Sequence, residues 1–305
     1  MSYIEKALEK AKELHSPKKR AAPAPAPEPE LVLQDEASPQ IRPDTWVTPE
    51  PAEEYAFTST RTVAVDLQNL HRQRLIVGEE FRQAGESYKL LRTRILQRTR
   101  PHGHNTLMIT GPNPGEGKTL TAINLAITFS QEIGHSVILV DMDLRYPSVR
   151  HYFGLPSGPG LVDYLTDGIP LTQILVHPDG FGKLVLLPGG KPVAQAAELI
   201  GSPDMAALVQ ELKQFYPDRW VIFDLPPLLS VADSLAFAPL VDGIVVVVEA
   251  GKTSKEDIGR CLEMLKPFKV LGFIFNKLGT SSSSNNYSEL PTKPGGPRPL
   301  DSPHV

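Results

Sequence analysis

Between Asn105 and Lys277 the chain alternates short unbroken apolar runs with longer stretches of helical spacing. Runs at Leu107–Thr110, Ser136–Asp141, Leu184–Leu187, Trp220–Asp224, Gly243–Glu249 and Val270–Asn276 read as strands. Helices are expected from about Lys118, over Asp204–Phe215, and near Ser254–Leu265. Strands rich in Val, Ile and Leu, with no polar residue at alternate positions, are buried on both faces. Separated by helices, they predict an α/β fold with a mostly parallel central sheet flanked by helices. Upstream, Phe81, Tyr88, Leu91 and Ile95 fall mostly on one face of a helix expected from Glu79, leaving Glu86, Lys89, Arg92 and Arg94 elsewhere. Such a helix either caps the domain with a solvated face or pairs with a neighbouring subunit. No internal repeat is visible.

The flanks differ in character. Residues 1–14 space Ile4, Leu8 and Ala11 at helical intervals among Glu and Lys, as in a short amphipathic docking helix. Alone, fewer than about 12–15 residues barely repay helix nucleation, so this segment needs a partner to fold on; the plainer alternative is a charged start. Residues 15–58, which include AAPAPAPEPE, have the composition of a disordered tether. The predicted core domain covers 59–280, with order returning gradually through Val63–Leu75. A Ser-, Asn-, Pro- and Gly-rich tail follows over 281–305.

Composition narrows the class. A chain of 305 residues, 41% hydrophobic, can bury one substantial core. With 31 basic and 35 acidic side chains the net charge is −4, which gives no reason to expect nucleic acid as a partner. Cys261, the only cysteine, excludes an intramolecular disulfide and a multi-cysteine metal cluster; its helical spacing with Ile258, Leu262 and Leu265 predicts a buried thiol. The histidines form no zinc-ligand pattern. There is no signal-peptide core, and no apolar run approaches the ~20 residues that span a bilayer. A cytoplasmic protein, held at a membrane only by a partner, is the expectation.

The chemistry concentrates at strand ends. LMITGPNPGEGKT joins a strand to a phosphate-binding loop in which Gly117, Lys118 and Thr119 supply the G-K-[ST] end of the Walker A pattern. Its first glycine would fall on Pro112, so this is a variant. Gly115, Glu116, Gly117, Lys118, Thr119 and Leu120 are assigned to nucleotide binding, with backbone N–H groups and the following helix N-terminus facing phosphate. Lys118 would reach the β/γ-phosphates and Thr119 would offer its hydroxyl to Mg²⁺. Asp141 and Asp143 end one strand; Asp224, before Pro226 and Pro227, ends another. Carboxylates at the carboxyl edge of a parallel sheet lie where ligands bind. Asp141 and Asp224 are therefore assigned to the metal, and Asp143 to the proton of the attacking nucleophile. Arg145 is placed on phosphate or a neighbour's tail, the alternative being an ordinary surface arginine. Asn276, ending the last strand, is placed on the base edge of the nucleotide, the alternative being a simple strand terminator.

Taken together these residues resemble the cytoplasmic tyrosine autokinases of bacteria, the exopolysaccharide and capsule chain-length family, in the free-standing form associated with polysaccharide export or exosortase loci. TGPNPGEGKT matches the family's Pro-containing phosphate loop; Asp141, Asp143, Arg145 and Pro147 match its D-x-D-x-R-x-P motif; and Asp224, Pro226 and Pro227 match its D-x-P-P motif. ESYKLLRTRI resembles the oligomer-forming E-x-x-R-x-x-R helix, with Glu86, Lys89 and Arg92 at the three positions. PVAQAAELIGSPDM and the first dozen residues also resemble family segments. The resemblance implies ATP and Mg²⁺ as cofactors and a homo-oligomer. It also implies a membrane-embedded polysaccharide chain-length or export protein as partner, at the inner face of the plasma membrane.

Two departures stand out. Lys89 replaces an arginine, keeping charge but losing the planar fork. The tail carries Tyr287 alone where family members carry a cluster. Two functions follow: trans autophosphorylation of Tyr287, or a regulatory ATPase or ATP-binding scaffold of an export complex. Related partition ATPases carry a lysine at the position of Asn113, so their intersubunit lysine has no donor here.

Overall fold

The computed structural model describes residues 60–278, except 79–80, 133 and 215–218. The chain separates into Met1–Ala52 and Glu53–Val305, and everything described belongs to the second unit. The expected docking helix (1–14), the tether (15–58), the tail (281–305) and with it Tyr287 lie outside the described residues.

Eight strands form one sheet: β1 (Arg61–Val63), β2 (Thr106–Thr110), β3 (Ser136–Asp141), β4 (Val176–Pro178), β5 (Leu184–Leu187), β6 (Arg219–Asp224), β7 (Gly243–Glu249) and β8 (Val270–Asn276). Their order is β1-β4-β5-β3-β6-β2-β7-β8, parallel throughout except between β4 and β5. The principal helices are α1 (Leu67–Arg72), α2 (Arg82–Thr99), α3 (Lys118–Ser130), α4 (Val149–Tyr152), α5 (Leu161–Asp167), α6 (Leu171–Ile174), α7 (Ala196–Ile200), α8 (Pro203–Gln214), α9 (Asp233–Phe237) and α10 (Lys255–Leu265). Among the described residues no helix is long and apolar enough to cross a membrane.

Period-two alternation sorts each central strand between two cores. In β3, Val137 and Leu139 join the core beneath α2 and α3, while Ile138 and Val140 join the one beneath α8 and α10. In β6, Trp220 and Ile222 face the first, Val221 and Phe223 the second. Because both faces are covered, the interiors of these strands, Val137–Val140 and Trp220–Phe223, are wholly apolar, and the carboxylates stand at the carboxyl end. Each fully buried Phe, Leu or Ile contributes about 1.5–3 kcal/mol relative to exposure. Cys261 is buried in the second core and its thiol is pushed up to about 11, chiefly by burial, which leaves it unreactive.

The long apolar runs are strands as read, and α2 begins at Arg82 with Ile95 and Leu96 buried. Phe81 instead packs at the helix entrance, edge-on to His71 with ring centroids 5.7 Å apart. The pattern does not reveal β1 and β4, three residues each, or the short helices α4 to α7 and α9. Elements of three to seven residues hold too few periods to register in a sequence and are stabilised by packing on the sheet.

Candidate nucleotide and phosphoryl-transfer site

The phosphate loop is held by glycine geometry and a brace from behind. Gly115 and Gly117 lie in the left-handed region, at φ 80° and 89°, curling the loop before α3 begins. Gly117 caps α3 with no side-chain acceptor on the first-turn N–H groups, so those of Lys118, Thr119 and Leu120 are available to an anion. The Leu120 side chain itself packs on the core, which confines its part to the backbone. Lys118 Nζ donates to the Asn113 carbonyl at 2.8 Å, spanning the loop. Burial lowers its pKa, opposed by Glu116, Asp224 and Asp143.

Glu116 holds the loop from inside. Its buried carboxylate accepts from the Asn113 N–H at 2.9 Å and from the Thr253 hydroxyl at 2.7 Å. The side chain is thus directed away from the cavity, and what it can give a nucleotide comes from its backbone. Asn276 donates through Nδ2 to the Glu116 carbonyl at 2.9 Å and accepts the Lys277 N–H at 2.9 Å. It lies against the loop with one amide N–H and one carbonyl lone pair engaged, which leaves a second of each for a ligand. Lys277 Nζ adds bonds to the Gly115 carbonyl at 2.6 Å and to Glu249 at 3.1 Å.

Asp141 and Asp224 are direct neighbours in the β3–β6 register. Both are fully buried. Asp141 Oδ2 accepts from the Ser148 and Val149 N–H groups at 2.8 and 2.9 Å, while Oδ1 has no partner. Neither oxygen of Asp224 has a partner in good hydrogen-bonding geometry, although the nearby Thr119 hydroxyl favours its charged form. Burial pushes the Asp141 carboxyl up to about 7, with the Val149 N–H opposing it. Burial, then Asp141 beside it, raises Asp224 well above the usual range. Buried anionic oxygens without donors are what a hard divalent cation satisfies. Among the described residues no three His, Cys, Asp or Glu side chains gather into a metal shell. Mg²⁺ here would therefore draw on Asp141, Asp224, Thr119, phosphate oxygens and water. The residues fit that ion, which characteristically keeps several waters.

A cavity of about 480 Å³ opens at the phosphate loop, lined by Gly115, Lys118, Thr119, Asp143, Tyr152 and Pro226 among others; the fully buried Asp141 and Asp224 are not among its lining residues. That volume lies within the range of small-molecule sites. Asp143 borders it, its pKa raised by burial and lowered by the Tyr146 N–H and Lys118. Arg145 also lines it, but its fork is taken by fully buried Asp233, at 2.8 Å from Nε and 3.1 Å from Nη2. Asp233, Thr253 and Lys277 escape a reading of the sequence, since each meets the site only through folding; the acid that opens α9 is the one local signal.

The three α2 residues do not act together. Glu86 and Lys89 form an exposed pair at 2.7 Å. Arg92 instead turns inward, donating to the Thr128 carbonyl at 2.6 Å and lying 3.2 Å from Glu132.

A curled loop before a helix, a buried lysine and paired strand-end carboxylates at the carboxyl edge of a parallel sheet define a P-loop nucleotide-binding domain. The pattern of the CobQ/CobB/MinD/ParA nucleotide binding domain, CbiA, matches residues 107–293. Tyrosine-protein kinase YwqD of Bacillus subtilis (strain 168) is 37% identical over 206 residues, 66% of this chain and 85% of YwqD. The kinase domain of Escherichia coli tyrosine kinase ETK superposes with a TM-score of 0.59 at 26% identity, covering 66% of this chain and 79% of that one. Succinoglycan biosynthesis transport protein ExoP of Rhizobium meliloti (strain 1021) is 35% identical over 176 residues, 56% of this chain but 22% of ExoP. The chain belongs to the bacterial tyrosine-protein kinase family.

Proposed function

We propose that the protein is an ATP-dependent tyrosine autokinase that acts in trans on Tyr287 and regulates exopolysaccharide synthesis or export. The observation that carries this is the buried pair Asp141 and Asp224, three of whose oxygens lack a partner, with Asp224 close to Thr119 and Lys118, which line the cavity together with Asp143. When bound, Mg²⁺ supplies charge neutralisation of the transferring group. Lys118 and the first N–H groups of α3 bind and orient the phosphates. Asp143 accepts the phenolic proton as the tyrosine oxygen bonds to the γ-phosphorus; the bond to the β-phosphate oxygen breaks and ADP leaves. Arg145 acts as a positioning residue, its ion pair with Asp233 tying the Asp143 loop to α9. Asn276 and Glu116 set the loop from behind.

Tyr287 follows Asn276 by eleven residues, and a fully extended stretch of that length spans about 35 Å, enough to reach a neighbouring site. The likeness to ExoP supports pairing with a membrane-embedded polysaccharide chain-length or export protein, reached through residues 1–14. Residues 59–280 form the catalytic domain in this reading and 281–305 the substrate tail. Because Tyr287 is the sole tyrosine of that tail, the second reading is a regulatory ATPase. Intact- and fragment-mass analysis after incubation with Mg²⁺–ATP separates the two. Phosphate on Tyr287, absent from Tyr287→Phe, supports the kinase. ATP hydrolysis with no phosphotyrosine rejects it.

Homo-oligomerisation through α2 is part of the proposal, with Glu86 and Lys89 as the available charges. Reversing both (Glu86→Lys with Lys89→Glu) is expected to shift the mass measured across a concentration series toward smaller species. An unchanged profile would exclude this face. Arg92 is a poor probe, because removing it strips the Thr128 carbonyl and Glu132 of their partner.

A further inference from the structure

We infer that a second cavity, backing onto the nucleotide cavity across α4, is a subsite for a carboxylate side chain two residues beyond the acceptor tyrosine. This rests on the phosphotransfer reading of the first cavity. The second has a volume of about 540 Å³ and is lined by Asp141, Pro147, Arg150, His151, Gly190 and Lys191 among others.

Arg150 is its distinctive member. Its Nη1 donates to the Pro156 carbonyl at 2.5 Å and its Nη2 to the Pro159 carbonyl at 2.8 Å. Both acceptors are neutral, so they fix the guanidinium without neutralising it, and among the described residues it has no ion-pair partner within 4.0 Å. Burial and then the neighbouring Arg61 lower its pKa, with Asp163 and Asp141 opposing from a distance. Asp163 is already engaged, accepting from the Gly160 N–H at 2.8 Å. Lys191 is tied to Asp167 at 2.8 Å. A half-buried cation held by loop carbonyls still gains from one bidentate anion. Asp141 and Asp163 disfavour a dianion, so a single carboxylate fits better than a phosphate.

Position identifies which carboxylate. Ser148 and Tyr152 face the first cavity while Pro147, Arg150 and His151 face the second. One helical turn therefore sets the two back to back. In an extended peptide whose tyrosine hydroxyl enters the first, the Cα of the second following residue lies about 7 Å from the tyrosine Cα. Tyr287 is followed by Ser288 and Glu289, and the occupant is Glu289 from another copy's tail.

The test uses full-length chains: a Tyr287→Phe donor, and Lys118→Met acceptors carrying Glu289, Glu289→Gln or Glu289→Asp. Initial rates of phosphotyrosine formation are followed against acceptor concentration. Glu289→Gln should raise the acceptor KM about tenfold with little change in kcat, the size expected for one charge-assisted pair; Glu289→Asp should retain most of the affinity. A donor that also carries Arg150→Gln should treat the Glu289 and Glu289→Gln acceptors alike, and Arg150→Lys should keep a preference. Equal KM values with the parent donor, or discrimination that survives Arg150→Gln, would overturn the subsite. If no acceptor is phosphorylated, the phosphotransfer reading fails instead. Fluorescence anisotropy of a labelled 281–295 peptide, with Glu289 or with Glu289→Gln, then decides the subsite by binding alone. Tighter binding of the Glu289→Gln peptide phosphorylated on Tyr287 than of the unmodified parent peptide would overturn the choice of carboxylate.

Discussion

Lys118→Met is expected to lower ATP turnover by about two to three orders of magnitude, the loss typical of removing one preorganised charge from a transition state. Methionine keeps the length and apolar stem of lysine but carries no cation. In the free protein the ammonium spans the loop to the Asn113 carbonyl, and burial depresses its pKa despite three nearby carboxylates. That arrangement costs desolvation, which phosphate oxygens would offset on binding. Affinity for ATP should fall together with turnover, because the same charge meets ground state and transition state. Phosphate release and nucleotide titration on one preparation check both, with melting temperature confirming that the variant folds. Equal turnover in parent and variant would remove Lys118 from the mechanism.

Much of this is legible in the sequence, for a physical reason. Strands β2, β3, β6 and β7 are buried on both faces, so their apolar runs are unbroken and their polar ends stand out. Those ends are Thr110, Asp141, Asp224 and Glu249, and ligand chemistry collects where the apolar run must stop. What escapes is contact between distant segments. The Arg145 fork meets Asp233 across 88 residues, and Glu116 meets Thr253 across 137. Nothing in local spacing distinguishes an arginine facing phosphate from one pinned to a buried aspartate. For the same reason Arg92 reads as a surface charge, although the Thr128 carbonyl at the end of α3 draws it inward.

The braces around the loop give a division of labour. Gly115 and Gly117 supply the curl, and Glu116, Thr253, Asn276 and Lys277 hold it, using β7 and β8 as a frame. Lys277 is the residue from which the chain leaves β8 toward the tail, and its ammonium rests on the Gly115 carbonyl. The segment that carries the proposed substrate tyrosine therefore starts within hydrogen-bond reach of the loop that would hold the phosphate.

Asp224→Asn should make the protein without metal or nucleotide more stable at pH 8 while abolishing Mg²⁺-dependent turnover. Asp224 and Asp141 share a register position, both fully buried, and three of their four carboxylate oxygens lack a partner. A carboxyl whose folded pKa is raised binds its proton more tightly folded than unfolded. Its contribution is fully present below the unfolded pKa and is lost as pH rises through the folded one. For Asp141, raised from 3.8 to about 7, that window runs from about pH 4 to pH 7. The cost is of order 2–4 kcal/mol, or roughly 5–15 °C in melting temperature for a domain of this size. The parent in EDTA should therefore melt lower at pH 8 than at pH 5. Asp224→Asn should reduce that slope by the share that Asp224 itself contributes through its own burial, leaving the share set by the burial of Asp141. Asp141→Asn is the less clean variant, since Oδ2 accepts two N–H bonds that an amide can satisfy only in one orientation. Mg²⁺–ATP should reverse the order, stabilising the parent by about 2.7 kcal/mol at a hundredfold excess over Kd and leaving Asp224→Asn nearly unmoved. Scanning calorimetry across pH, with and without Mg²⁺–ATP, reads all three outcomes. An Asp224→Asn protein that melts below the parent at pH 8 in EDTA would show that the paired carboxylates are not a stored cost, and would remove the physical basis for placing the ion between them.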